Sequence, residues 1–349
     1  MLISVPQTFV PSTRGVFMVR RRDLVATLGG TVVATAALFA ARAQQPERMR
    51  RIGVLVPGAQ QNQIIQQVIV AFREEMTKLG WVEGRNLRLD GRLGGTDFNR
   101  FRDYAAELVS LDPDVIVTGG PQATRAMQQQ TQTVPIVFVW VGDAFVNGII
   151  KNVARPEGNT TGITDRYASM SGKIVELLKE AVPKLERVAF VYDAQIIPAQ
   201  TGLTLIEEAG RVLGVQTIKI SYHNAMDLMQ SIDAFATEPN GGLYLTGPPS
   251  IAAVRETILR LATQHRLPTI SEDRAFTLEG GLMSYGSNLL DSVRRAPYYV
   301  DRILRGATVN ELPVEYPTKF ELIINLKTAR AMGLAISPSF LLRADQVIE

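Results

Sequence analysis

From residue 51 onward, short apolar runs alternate with longer segments whose apolar side chains recur at helical spacing. Arg51-Ile52-Gly53-Val54-Leu55-Val56 ends in Pro57-Gly58, the length and punctuation of a buried parallel strand. Over residues 62–80, Ile64, Ile65, Val68, Ile69, Phe72, Met76 and Leu79 share one helical face, and Gly80 stops the run. A second strand is expected at 86–89, a helix at 101–111 closed by Asp112-Pro113, and a third strand at 115–118. The pattern then restarts. A strand at 187–192 leads to a helix at 200–213 stopped by Gly214, a strand at 215–221, a helix at 226–237 and a strand at 242–246.

Two stretches echo each other across the restart. "VTGGPQATRAMQQQTQTVPIVFVWVGD" at 117–143 and "YLTGPPSIAAVRETILRLATQHRLPTISED" at 244–273 each run from an apolar strand through Thr-Gly-x-Pro into a helix, then meet a proline before a second strand. The chain therefore reads as α/β, with two lobes each built on a doubly wound parallel sheet. A length of 349 residues suits two such domains. In open α/β sheets ligands sit beyond the carboxyl ends of the strands, so two facing edges form a cleft able to close on a small molecule.

The loops at those edges are 57–60, 119–124, 141–145, 193–197, 247–250, 271–274 and 284–287. They supply the candidate ligand-binding residues Gly58, Gln60, Gly120, Gln122, Thr124, Trp140, Asp143, Phe145, Tyr192, Asp193, Gly247, Ser250, Asp273 and Tyr285. Each loop alone is also ordinary turn chemistry; the shared position at strand ends gives them functional weight. Amides at helix N-termini after Gly119-Gly120 and Gly247-Pro248 suit an anion. Asp143 or Asp273 is positioned to take an ammonium group, and Trp140, Phe145, Tyr192 and Tyr285 to enclose an apolar body. The expected ligand is a small carboxylate-bearing solute, an amino acid or an aromatic acid, with a sugar-like or purine-like ligand as the alternative. Trp140 is expected at the cleft and Trp81 at the far face of lobe one.

Charge and composition narrow this further. The net charge is +3, but residues 1–43 hold five arginines and one acid, leaving 32 basic against 33 acidic residues elsewhere. A neutral body gives no footprint for nucleic acid. The basic head reads as an export signal: Arg20-Arg21-Arg22, an uncharged run from Leu24 to Ala41, and a small-x-small site at Ala41-Arg42-Ala43. Those 18 uncharged residues are just long enough for a membrane anchor, although Gly29-Gly30 and the many alanines and threonines weaken that reading. Met18 offers a second start. The sequence contains no cysteine, which excludes disulfides, thiol catalysis, Cys-ligated metal and anchorage through a lipidated cysteine. An exported, untethered chain has the Gram-negative periplasm as its natural address.

An enzyme needs a catalytic constellation, and the only histidines are His223 and His265. His265 in "QHRLP" is expected to cap a helix-end carbonyl, and His223 precedes Asn224, a good helix N-cap. Neither a Gly-x-x-x-x-Gly-Lys-Ser/Thr loop nor a Gly-x-Gly-x-x-Gly turn is present. Glu272-Asp273 with Asp143 form a conceivable acid–base pair, but solvated acids or a clamp for a ligand amine are simpler readings. No cofactor, metal or catalytic residue is expected. The alternative is a ligand-sensing or enzymatic protein on the same two-lobed fold.

"GNTTGITDRYASMSGKIVELLKEAVPKLERVAFV", "HRLPTISEDRAFTLEGGLMSYG" and "YVDRILRGATVNELPVEYPTKFELIINLKTARAMGLAISPSFLLRADQVI" resemble the ABC-transporter substrate-binding family whose known relatives include tryptophan-binding lipoproteins. The resemblance implies a two-lobed, type I periplasmic-binding fold with three crossings between lobes. It also implies capture of a solute by a monomer and delivery to an ABC permease in the inner membrane. The plan is then 1–43 leader, 50–162 plus 283–312 lobe one, and 163–282 plus 313–349 lobe two, with crossings near 161–164, 280–283 and 310–317. Pro297, inside an otherwise helical 288–305, predicts a kink or a fresh helix start there. The chain departs from the family's usual cleft loops at Gly142-Asp143-Ala144-Phe145, Tyr192-Asp193-Ala194-Gln195 and Ser271-Glu272-Asp273, so the family's ligand preferences do not carry over.

Fused to a reporter, residues 18–43 should deliver it to the periplasm, with a new N-terminus near Gln44 by N-terminal sequencing. An uncut, membrane-embedded product would overturn the export reading. Changing Arg21 and Arg22 together to Lys separates the two export routes, since only twin-arginine transport should stop.

Overall fold

The computed structural model describes residues 48–58, 63–95, 97–194, 200–246 and 248–349. Met49–Glu349 is one compact unit, and the leader lies outside the described residues. Lobe one opens with β1 (Arg50–Val56), α1 (Gln63–Lys78), β2 (Leu87–Leu93), α2 (Phe98–Ser110), β3 (Val115–Gly119), α3 (Gly120–Gln130), β4 (Ile136–Val139) and β5 (Thr160–Gly162). The chain then builds α4 (Met170–Ala181), β6 (Arg187–Asp193), α5 (Gln200–Leu213), β7 (Gln216–Tyr222), α6 (Ala225–Phe235), β8 (Gly241–Leu245), α7 (Pro248–His265), β9 (Thr269–Ser271), α8 (Arg274–Leu278) and β10 (Met283–Gly286). It returns as α9 (Leu289–Leu304) and finishes with β11 (Glu321–Asn325), α10 (Leu326–Met332), α11 (Pro338–Leu341) and β12 (Gln346–Ile348).

The two sheets have the orders β2-β1-β3-β4-β5 and β12-β11-β10-β9-β8-β6-β7. Sheet one is parallel throughout; sheet two is parallel except where β11 runs antiparallel to β10. The apolar runs read from the sequence become buried strands because both faces are covered. On sheet one, Ile52, Val117 and Val137 meet Val68, Phe72 and Met76 of α1 together with Val293, Ala296 and Val300 of α9. The opposite face packs Leu55 and Ile116 against Leu108 of α2 and Met127 of α3. Sheet two is covered by α4, α5, α10 and α11 on one side and by α6, α7 and α8 on the other.

Two expectations are corrected here. Met283–Gly286 does not start the return to lobe one. It bonds to β9 on one side and β11 on the other, burying Met283 in the lobe-two core, so the middle crossing follows it at 286–288. Of the two outcomes expected at Pro297, a kink or a fresh helix start, the fresh start is excluded: α9 runs through it as one element. Its missing N–H costs about 3 kcal/mol. Val293 and Val300, on either side, are essentially fully buried, and each contributes about 2 kcal/mol, which offsets the loss.

The crossings are laced together. Glu315 N–H donates to the Gly162 carbonyl at 3.1 Å, and Thr164 N–H to the Glu315 carbonyl at 2.9 Å, around a parallel bridge between Ile163 and Glu315. The Thr161 hydroxyl donates to the Leu312 carbonyl at 2.6 Å, and the Ser287 hydroxyl reaches the Asp165 carbonyl at 2.6 Å. At the root of the first crossing, a Cβ on Gly162 would lie 2.2 Å from the Phe138 carbonyl oxygen. Gly162→Ala should therefore lose about 3 kcal/mol of stability in urea unfolding. Gly148→Ala, facing open space at φ +66, should lose about 1 kcal/mol from its backbone conformation alone. Equal losses would show that the close approach at Gly162 is not a constraint.

Candidate functional site

Arg166 brings together the turn at Gly142, just beyond β4, and Glu272, just beyond β9, so the carboxyl ends of these two strands meet across the lobes. On lobe one, α3 begins directly at the β3 edge. Gly119 stands at its N-cap without a side chain to bond the first turn, and Gly120 follows at φ +80. The first-turn amide of Gln122 thus has neither a helical acceptor nor a side-chain cap. Above β4 the backbone is tightly folded, with Trp140 at φ +60 and Gly142 at φ +70.

Several residues expected to touch ligand are instead committed to the scaffold. Thr124 is fully buried; its hydroxyl donates to the Gly120 carbonyl at 2.8 Å and lies 2.8 Å from the Thr118 hydroxyl. Asp143 takes the backbone N–H groups of Phe145, Val146 and Ala168 and the Tyr316 hydroxyl, at 3.2, 3.2, 3.1 and 2.8 Å. Asp273 caps α8 through the Ala275 N–H at 2.9 Å and pairs with Arg255 at 2.9 Å. Burial pushes its carboxyl up, against the pull of Ala275 and Arg255. The hydrogen bonds of both aspartates thus go to their own scaffold.

The remaining candidates divide between cleft and elsewhere. Trp140 is buried in the lobe-one core, and its indole N–H donates to the Leu289 carbonyl at 3.1 Å, so it underlies the cleft instead of facing it. Gly58 is tied to Gly95 by a pair of backbone bonds at 3.2 and 3.3 Å. Gln122 borders a groove of about 240 Å³ beside Asn99, Phe101 and Arg102. Phe145 is 54% exposed, while Tyr192, Asp193 and Tyr285 are half-buried at the lobe-two edge. Gln60 and Gly247 lie outside the described residues, as does the side chain of Ser250. His265 does not cap its helix; its Nε2 lies 2.7 Å from Asp233.

The strongest polar cluster at the cleft was not singled out from the sequence. Arg166, in the first crossing, forms an ion pair with Glu272 at the end of β9, and the Tyr244 hydroxyl donates to the other Glu272 oxygen at 2.8 Å. Asp165 accepts the Gly142 N–H. Burial pushes the Asp165 carboxyl up, partly countered by Arg166 and by that N–H. For Arg166, burial opposes the charge, but Glu272 and Asp165 overcome it and hold the guanidinium firmly protonated. Burial, reinforced by Glu272, likewise keeps the Tyr244 hydroxyl protonated. Beside the cluster runs an aromatic chain: Tyr167 stacks on Tyr316 at 4.6 Å, lies 6.2 Å from Phe320, and Phe320 lies 5.9 Å from Tyr285. The available signal was "DRY", two charges and an aromatic immediately after a strand.

Two parallel-sheet lobes with facing carboxyl edges, three crossings and a polar junction between them define a two-lobed binding protein of the type I periplasmic-binding fold. Residues 54–348 match the ABC transporter substrate binding protein family, and the chain belongs to it. It is similar to a tyrosine-binding protein of Clostridioides difficile, with 21% identity over 75% of each chain. Among solved structures, a conserved domain protein from Vibrio cholerae is 23% identical with a TM-score of 0.79, covering 86% of this chain and 100% of that one. An ABC domain from Streptococcus pneumoniae in complex with L-Trp is 19% identical, also with a TM-score of 0.79, covering 86% and 99%. This family binds substrates and is not defined by a reaction. No described helix is long and apolar enough to cross a membrane.

The two indoles mark opposite ends of α9, Trp140 bonding Leu289 and Trp81 bonding Asp301 at 2.8 Å. At 1.5 Å per residue those anchor points are about 18 Å apart. Trp140 also packs under Gly119, where its ring would be 3.1 Å from an added Cβ. A bound ligand should therefore change intrinsic fluorescence through Trp140: Trp140→Phe should abolish the change and Trp81→Phe preserve it. The opposite outcome would place the ligand away from the β3–β4 edge.

Proposed function

We propose that this protein is the exported solute-binding component of an ABC import system, working as a monomer in the periplasm. It captures an aromatic amino acid or a related aromatic carboxylate between its lobes and delivers it to an inner-membrane permease. What supports this reading is the Arg166–Glu272 pair joining the β4 and β9 ends, with the Tyr167–Tyr316–Phe320–Tyr285 chain starting at the next residue and an α3 N-terminus without a side-chain cap at the neighbouring β3 end. Free helix-end amides and a guanidinium suit a carboxylate, and aromatic rings suit a planar apolar body. The tyrosine and L-Trp that name two of the similar proteins fit the same chemistry. Export is supported by the arginine-led head and the uncharged run that follows it.

A thermal-shift screen of amino acids, aromatic acids, sugars and nucleosides tests the ligand class. Ligand at a hundredfold excess over Kd adds about 2.7 kcal/mol. For a chain of this size that should raise Tm by about 4 °C for tryptophan or tyrosine. Stabilisation by sugars or nucleosides alone would overturn the proposal.

A further inference from the structure

We propose that the Arg166–Glu272 ion pair is the recognition element for a zwitterionic α-amino acid. The ligand carboxylate takes the Arg166 guanidinium and the ligand ammonium takes Glu272, so one internal pair is exchanged for two ligand pairs. The inference rests on the reading of the cleft as an amino-acid site and deepens it.

Position is the first argument. Arg166 lies against the Gly142 turn above β4, and Glu272 ends β9, so the pair spans the two carboxyl edges between which a ligand sits. Gly119, the α3 N-cap, is paired with Val139, and the Gly142 turn follows three residues later. Glycine is required on both sides of the pair. A Cβ on Gly142 would come within 3.1–3.3 Å of the guanidinium, and one on Gly286 within 2.1 Å of the Glu272 backbone carbonyl.

The second argument is how the acids are held. Asp143 accepts three backbone N–H groups and Asp273 caps a helix, so neither releases its oxygens without refolding a turn. Glu272 is held at its carboxylate by side-chain tips, that of the fully buried Tyr244 and that of Arg166, and only the Arg166 tip has to rotate to admit a ligand. The Arg166 side chain is 29% accessible and that of Glu272 8%: one is reachable from the cleft, the other is opened by moving the first. The guanidinium has five N–H donors in a planar fork, enough to engage a ligand carboxylate in two bonds with Asp165 still beside it.

Charge balance is the third. A zwitterion leaves every charge paired, whereas a ligand carrying only one charge strands Arg166 or Glu272 without its partner in a dry site. Stranding one member of a buried pair weakens binding by about a hundredfold or more. The site therefore selects α-amino acids over acids and over amines that share the same ring.

Calorimetric titration of the unaltered protein with L-tryptophan, indole-3-propionate and tryptamine reads this directly. Both singly charged analogues should bind about a hundredfold more weakly than the amino acid. Either one binding as tightly as L-tryptophan overturns the inference while leaving the aromatic-ligand reading intact. Failure of L-tryptophan and L-tyrosine to bind at all overturns the parent reading and this one with it. Glu272→Gln should erase the preference over indole-3-propionate, and Arg166→Gln the preference over tryptamine. Both variants keeping the full selectivity of the parent would also overturn it, and the analogue series on the unaltered protein stands whether or not the variants fold.

Discussion

Two segments cross between the lobes side by side, and the backbone bonds joining Gly162, Thr164 and Glu315 keep them in register. The last crossing is further bound to lobe one, since Arg295 grips the Glu315 carboxylate at 2.6 and 2.8 Å and the Tyr299 hydroxyl holds the Pro313 carbonyl at 2.6 Å. Asp143 then takes both the Tyr316 hydroxyl and the Ala168 N–H. The first and last crossings are thus bonded to lobe one as far as Ala168 and Tyr316.

That placement decides what Arg166 does. It stands in the first crossing against the Gly142 turn, while Glu272 directly follows β9, with the backbone of Gly286 close against it. Their ion pair therefore joins the first crossing to the edge of sheet two. Asp143 supplies the complementary stiffness: a carboxylate saturated by four donors turns a flexible loop into part of the frame.

The fold was largely legible because apolar period and Gly/Pro punctuation set each strand and helix independently of distant contacts. Met283–Gly286 was misassigned because a four-residue strand flanked by glycines carries no mark of which sheet it joins; that is decided by pairing with β9 and β11. The site was legible as a set of loops but not as a set of roles. Thr124, Asp143 and Asp273 look alike in sequence whether their oxygens meet a ligand or their own backbone, and here the backbone takes them. Arg166 escaped notice because it stands in a crossing, and its partner is 106 positions away.

Neither lobe is contiguous in the chain. The apolar face formed by Val68, Phe72 and Met76 is closed by Val293, Ala296 and Val300, and Trp81 finds Asp301 220 positions later. Sheet two likewise lacks the antiparallel neighbour of β10 until residues 321–325 exist. A chain emerging from its N-terminus therefore closes the α2–α3 face of sheet one early, while the α1 face waits for α9. Closing such distant contacts is slow, because the loop entropy is spent before the contacts reward it. Until then the α1 face of sheet one is an uncovered apolar surface, which α9 must reach before another chain does.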